Sequence, residues 1–239
     1  MSDARSGYTS SMVPSERVTE LFADDVLVVS AHVTDVALAA ITPREAELVA
    51  RAVDKRKREF ATARALAKAA LARFGLHDYE LLNAQDRSPI WPAHITGSIS
   101  HCDTRAVVAV GDRATVGTIG IDVEHRDELK RELWKTVFLR EEVDALDAQF
   151  AHDVRGRMAL ALFSAKEALY KAQYPRSTQF MGFHELRVEM IAESATRGRL
   201  ECEFQNDVGP FAKGFVAHGR YRLDAFPAGE VITAVRIEP

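Results

Sequence analysis

Asp122 and Glu124 stand two residues apart in Ile119-Gly120-Ile121-Asp122-Val123-Glu124, a run rich in β-branched side chains. Successive side chains of a strand point to opposite faces, so both carboxylates share one face while Ile121 and Val123 enter the core. Carboxylates side by side repel one another unless water or a cation compensates. Such a pair suits Mg²⁺, which takes one or two carboxylates and fills its shell with phosphate oxygens and water. The polar face of any half-buried strand gives the same alternation, so the pair alone carries little.

About forty residues further on, Phe163-Ser164-Ala165-Lys166-Glu167-Ala168-Leu169-Tyr170-Lys171 has the composition of a helix, with Glu167 and Lys171 four apart on one face. An ordinary surface ion pair reads the same way. Together the segments are chemically complementary. A pyrophosphate held by Mg²⁺ needs acids for the metal and nearby ammonium groups, here Lys166 and Lys171, for its remaining charge.

These side chains need elements to hold them. Val26 to Val33 is a β-branched run bounded by acids and reads as a buried strand. Thr42-Pro43-Arg44-Glu45 combines an N-cap hydroxyl, a proline at the first helical position and a Glu three residues after the cap. The helix it starts continues to about Phe74, where Gly75 stops it, with a break expected near Asp54. Gln85 to Gly97, with Pro89 and Pro92, is expected to be loop, and Ser98 to Ser100, Ala106 to Gly111 and Val116 to Glu124 to be strands. Helices are expected over Asp127 to Leu146 and Arg155 to Gln173, the second ended by Pro175. Four or five β-rich runs between His184 and Ile237 then read as a meander. The plan of strand, helices and strands thus occurs twice. It predicts an α+β protein with a loose tail over residues 1–18, one subdomain over 19–115, and a second, metal-holding subdomain over 116–239, with a cleft between the two as the ligand site.

Bulk properties exclude several classes. With 239 residues, 47% hydrophobic and 28% charged, the chain can bury one large core or two smaller ones, which rules out a disordered or collagenous protein. A net charge of −4 argues against a broadly basic, nucleic-acid-binding surface, so an anionic ligand must meet a local cluster of Lys and Arg. Cys102 and Cys202 lack metal-type spacing and are expected to be reduced. No run approaches the roughly 20 apolar residues of a membrane span, and Met1 to Ser15 has no signal-peptide core, so a cytoplasmic protein is expected.

The ordered pair Gly-Ile-Asp-Val-Glu and Phe-Ser-x-Lys-Glu-Ala-x-x-Lys resembles the defining motifs of the Sfp-type 4′-phosphopantetheinyl transferases. The resemblance extends upstream through Arg56-x-x-Glu59-Phe60-x-x-x-Arg64-x-x-Ala67, Pro89-x-Trp91-Pro92 and Gly97-Ser98-Ile99-Ser100-His101-Cys102. This set is similar to the enterobactin-synthase-associated branch and covers roughly residues 50 to 172. The resemblance implies two pseudo-symmetric α+β halves with coenzyme A between them. It also implies Mg²⁺-dependent (Mn²⁺ as a substitute) transfer of phosphopantetheine to a serine of an apo acyl or peptidyl carrier protein, with release of 3′,5′-ADP.

By motif position, the resemblance makes Asp122, Glu124 and Glu167 the metal site and Glu167, directly or through a water, the base for the incoming serine. Lys166 and Lys171 then clamp phosphate oxygens. Ser100 and His101 meet the 3′-phosphate, and Arg56 and Arg64 reach the nucleotide phosphates. Many relatives have a glycine where Ala63 stands, and they place a basic residue directly before the Pro-x-Trp-Pro loop. Here Ser88 holds that place, which makes Arg87, one step earlier, a further candidate. A monomer is expected, since both halves lie in one chain. A metal-dependent nuclease and a non-catalytic coenzyme A-binding module are the alternatives. The nuclease is disfavoured because Lys166 and Glu167 are adjacent on a helix, the module because all three acids are present. Siderophore, nonribosomal peptide, polyketide and fatty-acid carriers all fit, and the helix from Asp127 is a candidate docking surface.

Overall fold

A computed structural model describes Val18, residues 20–125 and residues 128–239. The expected tail lies outside the described residues apart from its end, where Val18 is buried.

The first unit opens with β1 (Val26–His32), followed by α1 (Pro43–Glu47), α2 (Asp54–Ala72), β2 (Ile95–His101) and β3 (Arg105–Asp112). The expected capping box forms: Glu45 N–H donates to Thr42 Oγ1 at 3.2 Å and Thr42 N–H to Glu45 Oε2 at 2.9 Å. The chain breaks before Asp54 as expected, and α2 carries the long Ala-rich run. The strands form an antiparallel sheet in the order β1-β3-β2. Its central strand is buried on both faces. Ala106, Val108 and Val110 pack under α2 with Leu66 and Leu71, while Val107 and Ala109 face the second unit.

One helical turn, α3 (Arg113–Val116), capped by Asp112, precedes β4 (Thr118–Glu124), so the strand starts two residues later than expected. Next come α4 (Arg131–Val137), α5 (Arg140–Gln149), α6 (His152–Ser177) and the strands β5 (Leu186–Ala192), β6 (Arg197–Phe204), β7 (Val216–Arg222) and β8 (Val231–Ile237). The single helix expected from Asp127 is instead two, with Asp127 itself outside the described residues. Phe138 turns extended to bury its ring edge-on against Trp134, and Glu142 accepts the Leu139 N–H to start the next helix. Pro175 does not end α6. It sits in the last turn, where it removes one helical donor, and the helix continues through Ser177 to stop at left-handed Thr178, whose N–H bonds Tyr174 O at 2.9 Å.

The second sheet is antiparallel in the order β4-β8-β7-β6-β5, so the expected meander forms and β4 closes against its last strand. Both units therefore follow one rule: the opening strand pairs with the final strand, and the long helix between them covers one face. Ile119, Ile121 and Val123 of β4 and Ile232 and Ala234 of β8 turn away from α6 to meet the first sheet. The result is four layers, α2, sheet, sheet, α6. Among the described residues no helix is long and apolar enough to cross a membrane.

Candidate active site

Alternation along β4 sends Gly120, Asp122 and Glu124 to the α6 side. At Gly120 helix and strand all but touch, since a Cβ there would lie 1.8 Å from Ala168 O. No residue with a side chain fits, and the contact brings one face of α6, carrying Ser164, Glu167 and Lys171 at helical spacing, onto the acidic strand.

Asp122 is the centre of this contact. Its Oδ1 accepts the Ser100 hydroxyl at 2.7 Å and the Lys171 ammonium at 2.6 Å, and its Oδ2 accepts the Ser164 hydroxyl at 2.8 Å. Lys171 also donates to Ser100 Oγ at 3.0 Å and Ile121 O at 3.1 Å. Ser164 lies 2.8 Å from Thr233 Oγ1, the cross-strand partner of Asp122. Glu124 and Glu167 flank this group, both half-buried. Burial, and then the Asp122 charge, push the Glu124 carboxyl up to about 7 and raise that of Glu167. Three carboxylates against one ammonium leave excess negative charge, all of it on hard oxygen donors. That set fits a small dication such as Mg²⁺ or Mn²⁺. Among the described residues no three acidic, histidine or cysteine side chains converge on one point, and the cation paired with Asp122 is Lys171, at 2.6 Å.

Beside the acids opens a cleft of about 720 Å³ between the first unit and the end of α6. Arg56, Arg64, Arg87, Ser100, His101 and Lys171, all expected site residues, line it. Arg64 is buried, stacks 4.3 Å over the Phe60 ring and donates to Asn83 Oδ1 at 2.5 Å. Burial lowers its guanidinium to about 10, which still leaves it charged at neutral pH. The Trp91 ring fills the space where a Cβ on Gly97 would stand, 2.6 Å away, which accounts for the glycine of the Gly-Ser-Ile-Ser-His run. His101 bonds Arg56 through Nε2, and its Nδ1 lies 3.4 Å from Glu59 Oε2. Burial, then Arg56 and Lys171, lower its pKa to about 4, so the histidine is neutral near pH 7 and offers hydrogen bonding rather than charge.

Lys166 corrects the sequence-based expectation. Its ammonium is buried on the opposite side of α6, bonded to Glu142 Oε2 at 2.7 Å and to Phe183 O and Leu186 O, each at 2.9 Å. Glu142 in turn accepts the Val188 N–H at 2.7 Å. The pair thus satisfies a carbonyl and an amide of β5, and no phosphate in the cleft can reach this lysine. Lys166 and Glu167 are neighbours in sequence, and consecutive helix positions diverge by about 100°.

Ser164, Thr233, Asn83 and Glu59 join the site without a role assigned from the motifs. Ser164 was detectable as the residue three before Glu167 and seven before Lys171 on one helical face. Thr233 was not, because only the pairing of β4 with β8 brings it to Asp122. A larger cavity, about 940 Å³ on the outer face of β6 and β7, contains none of the motif residues.

Two family models match in chain order, the 4′-phosphopantetheinyl transferase N-terminal domain over residues 44–111 and the 4′-phosphopantetheinyl transferase superfamily over residues 118–225. The chain is similar to 4′-phosphopantetheinyl transferase Svp of Streptomyces mobaraensis, 34% identical over 235 residues that cover 95% of this chain and 88% of that protein. It is also similar to 4′-phosphopantetheinyl transferase PptT of Mycobacterium tuberculosis, 34% identical over 152 residues, 64% of this chain and 66% of that protein. Enterobactin synthase component D of Escherichia coli is 35% identical over 127 residues, 49% of this chain and 55% of that protein. An acidic strand, a helix that meets it at a glycine and an adjoining cationic cleft lie within one matched arrangement, and the chain belongs to the 4′-phosphopantetheinyl transferase superfamily.

Proposed function

We propose that the chain transfers 4′-phosphopantetheine from coenzyme A to a serine hydroxyl of an apo acyl or peptidyl carrier protein, with Asp122, Glu124 and Glu167 holding Mg²⁺ or Mn²⁺. The observation that carries this reading is the junction at Asp122, where Ser100 and Lys171 belong both to the acidic group and to the wall of the cationic cleft. A pyrophosphate lying along that wall has its scissile end at the acids and its nucleotide toward Arg56, Arg64 and Arg87.

In this reading the arginines bind phosphate oxygens through planar, permanently charged forks. Ser100 and neutral His101 contribute hydrogen bonds at the 3′-phosphate, and Lys171 moves from Asp122 toward a pyrophosphate oxygen. The metal, when bound, supplies Lewis-acid stabilisation of charge developing on the pyrophosphate. A Glu167 carboxylate oxygen accepts the proton of the carrier serine, directly or through a water. The serine Oγ–phosphorus bond forms as the phosphorus–oxygen bond to 3′,5′-ADP breaks, and the ADP leaves with the electron pair. Both walls of the cleft come from one chain, which supports a monomer. The free thiols of Cys102 and Cys202 accord with the cytoplasm.

Incubation with coenzyme A, Mg²⁺ and a panel of apo carriers, followed by intact-mass measurement, tests the assignment. A phosphopantetheine adduct on the carrier serine is expected. Binding of coenzyme A with no adduct on any carrier would instead mark a non-catalytic module.

A further inference from the structure

The two walls of the cleft come from different units and meet again at its rim. One wall is a short hairpin closed by the bridge of Asn83 with Pro89 and by Ala84 N–H donating to Ser88 O at 2.8 Å. The other is the end of α6. The Tyr174 hydroxyl joins them by donating to Asp86 Oδ2 at 2.7 Å. Asp86 Oδ1 accepts the Ser88 N–H at 2.9 Å and the Ser88 hydroxyl at 2.6 Å, so one carboxylate fixes the hairpin tip and ties it to the helix. Tyr174 is itself held, its ring stacked on Tyr170 at 5.6 Å.

Arg87 lies between these contacts. Its φ of 70° falls in the left-handed region that non-glycine residues seldom adopt. Its side chain lines the cleft, and among the described residues its guanidinium has no hydrogen-bond or ion-pair partner. An aspartate at the mouth of a cationic cleft opposes entry of a polyanion. Its place there is accounted for by what its two oxygens hold.

We propose that the Asp86–Tyr174 hydrogen bond is a clasp that closes the hairpin over the cofactor cleft and aims Arg87 at the phosphates of the bound nucleotide. Asp86 and Tyr174 are then positioning residues and Arg87 is the contact. The proposal rests on the reading of the cleft as the coenzyme A site.

Calorimetric titration of the full chain with coenzyme A, together with steady-state kinetics on an apo carrier, tests it. Tyr174→Phe and Asp86→Asn should each weaken coenzyme A binding about five-fold and raise KM for coenzyme A to match, with kcat at saturation held within about twofold. In an Arg87→Ala background neither substitution should weaken binding further, because the clasp acts through that arginine. If Asp86 is merely a charge at the rim, Asp86→Asn tightens binding and Tyr174→Phe leaves it unchanged, which overturns the clasp. Equal losses with and without Arg87 overturn it as well. A wild-type chain that binds no coenzyme A overturns the cofactor reading and the clasp together, and the wild-type titration alone distinguishes that failure.

Discussion

At position 122 one carboxylate takes bonds from two hydroxyls and an ammonium, while at Glu124 and Glu167 beside it burial and the Asp122 charge outweigh the pull of Lys171. In the proposed reading Glu167→Gln removes the proton acceptor and a metal ligand, and Glu167 is not itself among the residues that line the nucleotide cleft. Transfer is expected to fall by more than about a hundredfold while calorimetric affinity for coenzyme A is kept. Survival of activity within tenfold would show that another group is the base. Crowding also gives a pH dependence. The folded-state pKa of Glu124 is raised to about 7 from 4.5, so its contribution to stability is fully present below pH 4.5 and is lost as pH rises through 7. In chelator, Glu124→Gln should melt near the wild-type temperature at pH 4.5 and clearly above it at pH 7.5. Thermal melts across that interval check the sign. The two lysines separate in the same kind of measurement. Lys166→Met leaves buried Glu142 without its ion partner and should cost about 3 kcal/mol, a melting shift of roughly 10 °C. Lys171→Met leaves buried Asp122 its Ser100 and Ser164 hydroxyl donors, so it should lower the melting temperature less than Lys166→Met and transfer far more.

The element that sets the site is the pairing of α6 with β4, and its register depends on Gly120. Gly120→Ala places a methyl where Ala168 O stands. The helix must move outward, drawing Ser164 and Lys171 off Asp122, at a cost of about 3 kcal/mol or more. Circular dichroism melts together with transfer assays should show both losses, and full activity in a folded variant would contradict the close-packing argument. Elements governed by local chemistry were legible in the chain. The Thr42–Glu45 capping box, the break before Asp54, the alternation in β4 and the C-terminal meander all follow from short-range pattern. Those that tertiary contacts govern were not. Phe138 splits an expected helix because its ring is buried against Trp134, and α6 runs past Pro175 to stop at left-handed Thr178.

Across the whole molecule, the two sheets share a core to which β1 and β3 contribute Val26, Val28, Val107 and Ala109, and β4 and β8 contribute Ile119, Ile121, Val123, Ile232 and Ala234. Arg105, buried at the start of β3, bonds buried Glu230 from the turn before β8 at 3.4 Å, and Thr104 donates to the same oxygen at 2.9 Å. Neither unit alone can cover that surface. Residues 116–239 expressed by themselves should therefore be aggregated or lack a cooperative melt, whereas the full chain should unfold in one transition. Two independent calorimetric transitions in the full chain would contradict a shared core.

The sequence by itself determined which residues could do the chemistry, because carboxylates at strand spacing and an acid and lysine at helical spacing follow from backbone periodicity. It also determined the family, through an ordered set of short motifs. Tertiary structure alone decided which face of α6 meets the acids, and so that Lys171 belongs to the cleft and its motif neighbour Lys166 to the core. It brought Thr233 to Asp122 through strand pairing across more than a hundred residues, and it set Asp86 against Tyr174. Local periodicity fixes directions relative to an element. Which direction becomes core and which becomes cleft depends on what packs against that element from elsewhere in the chain.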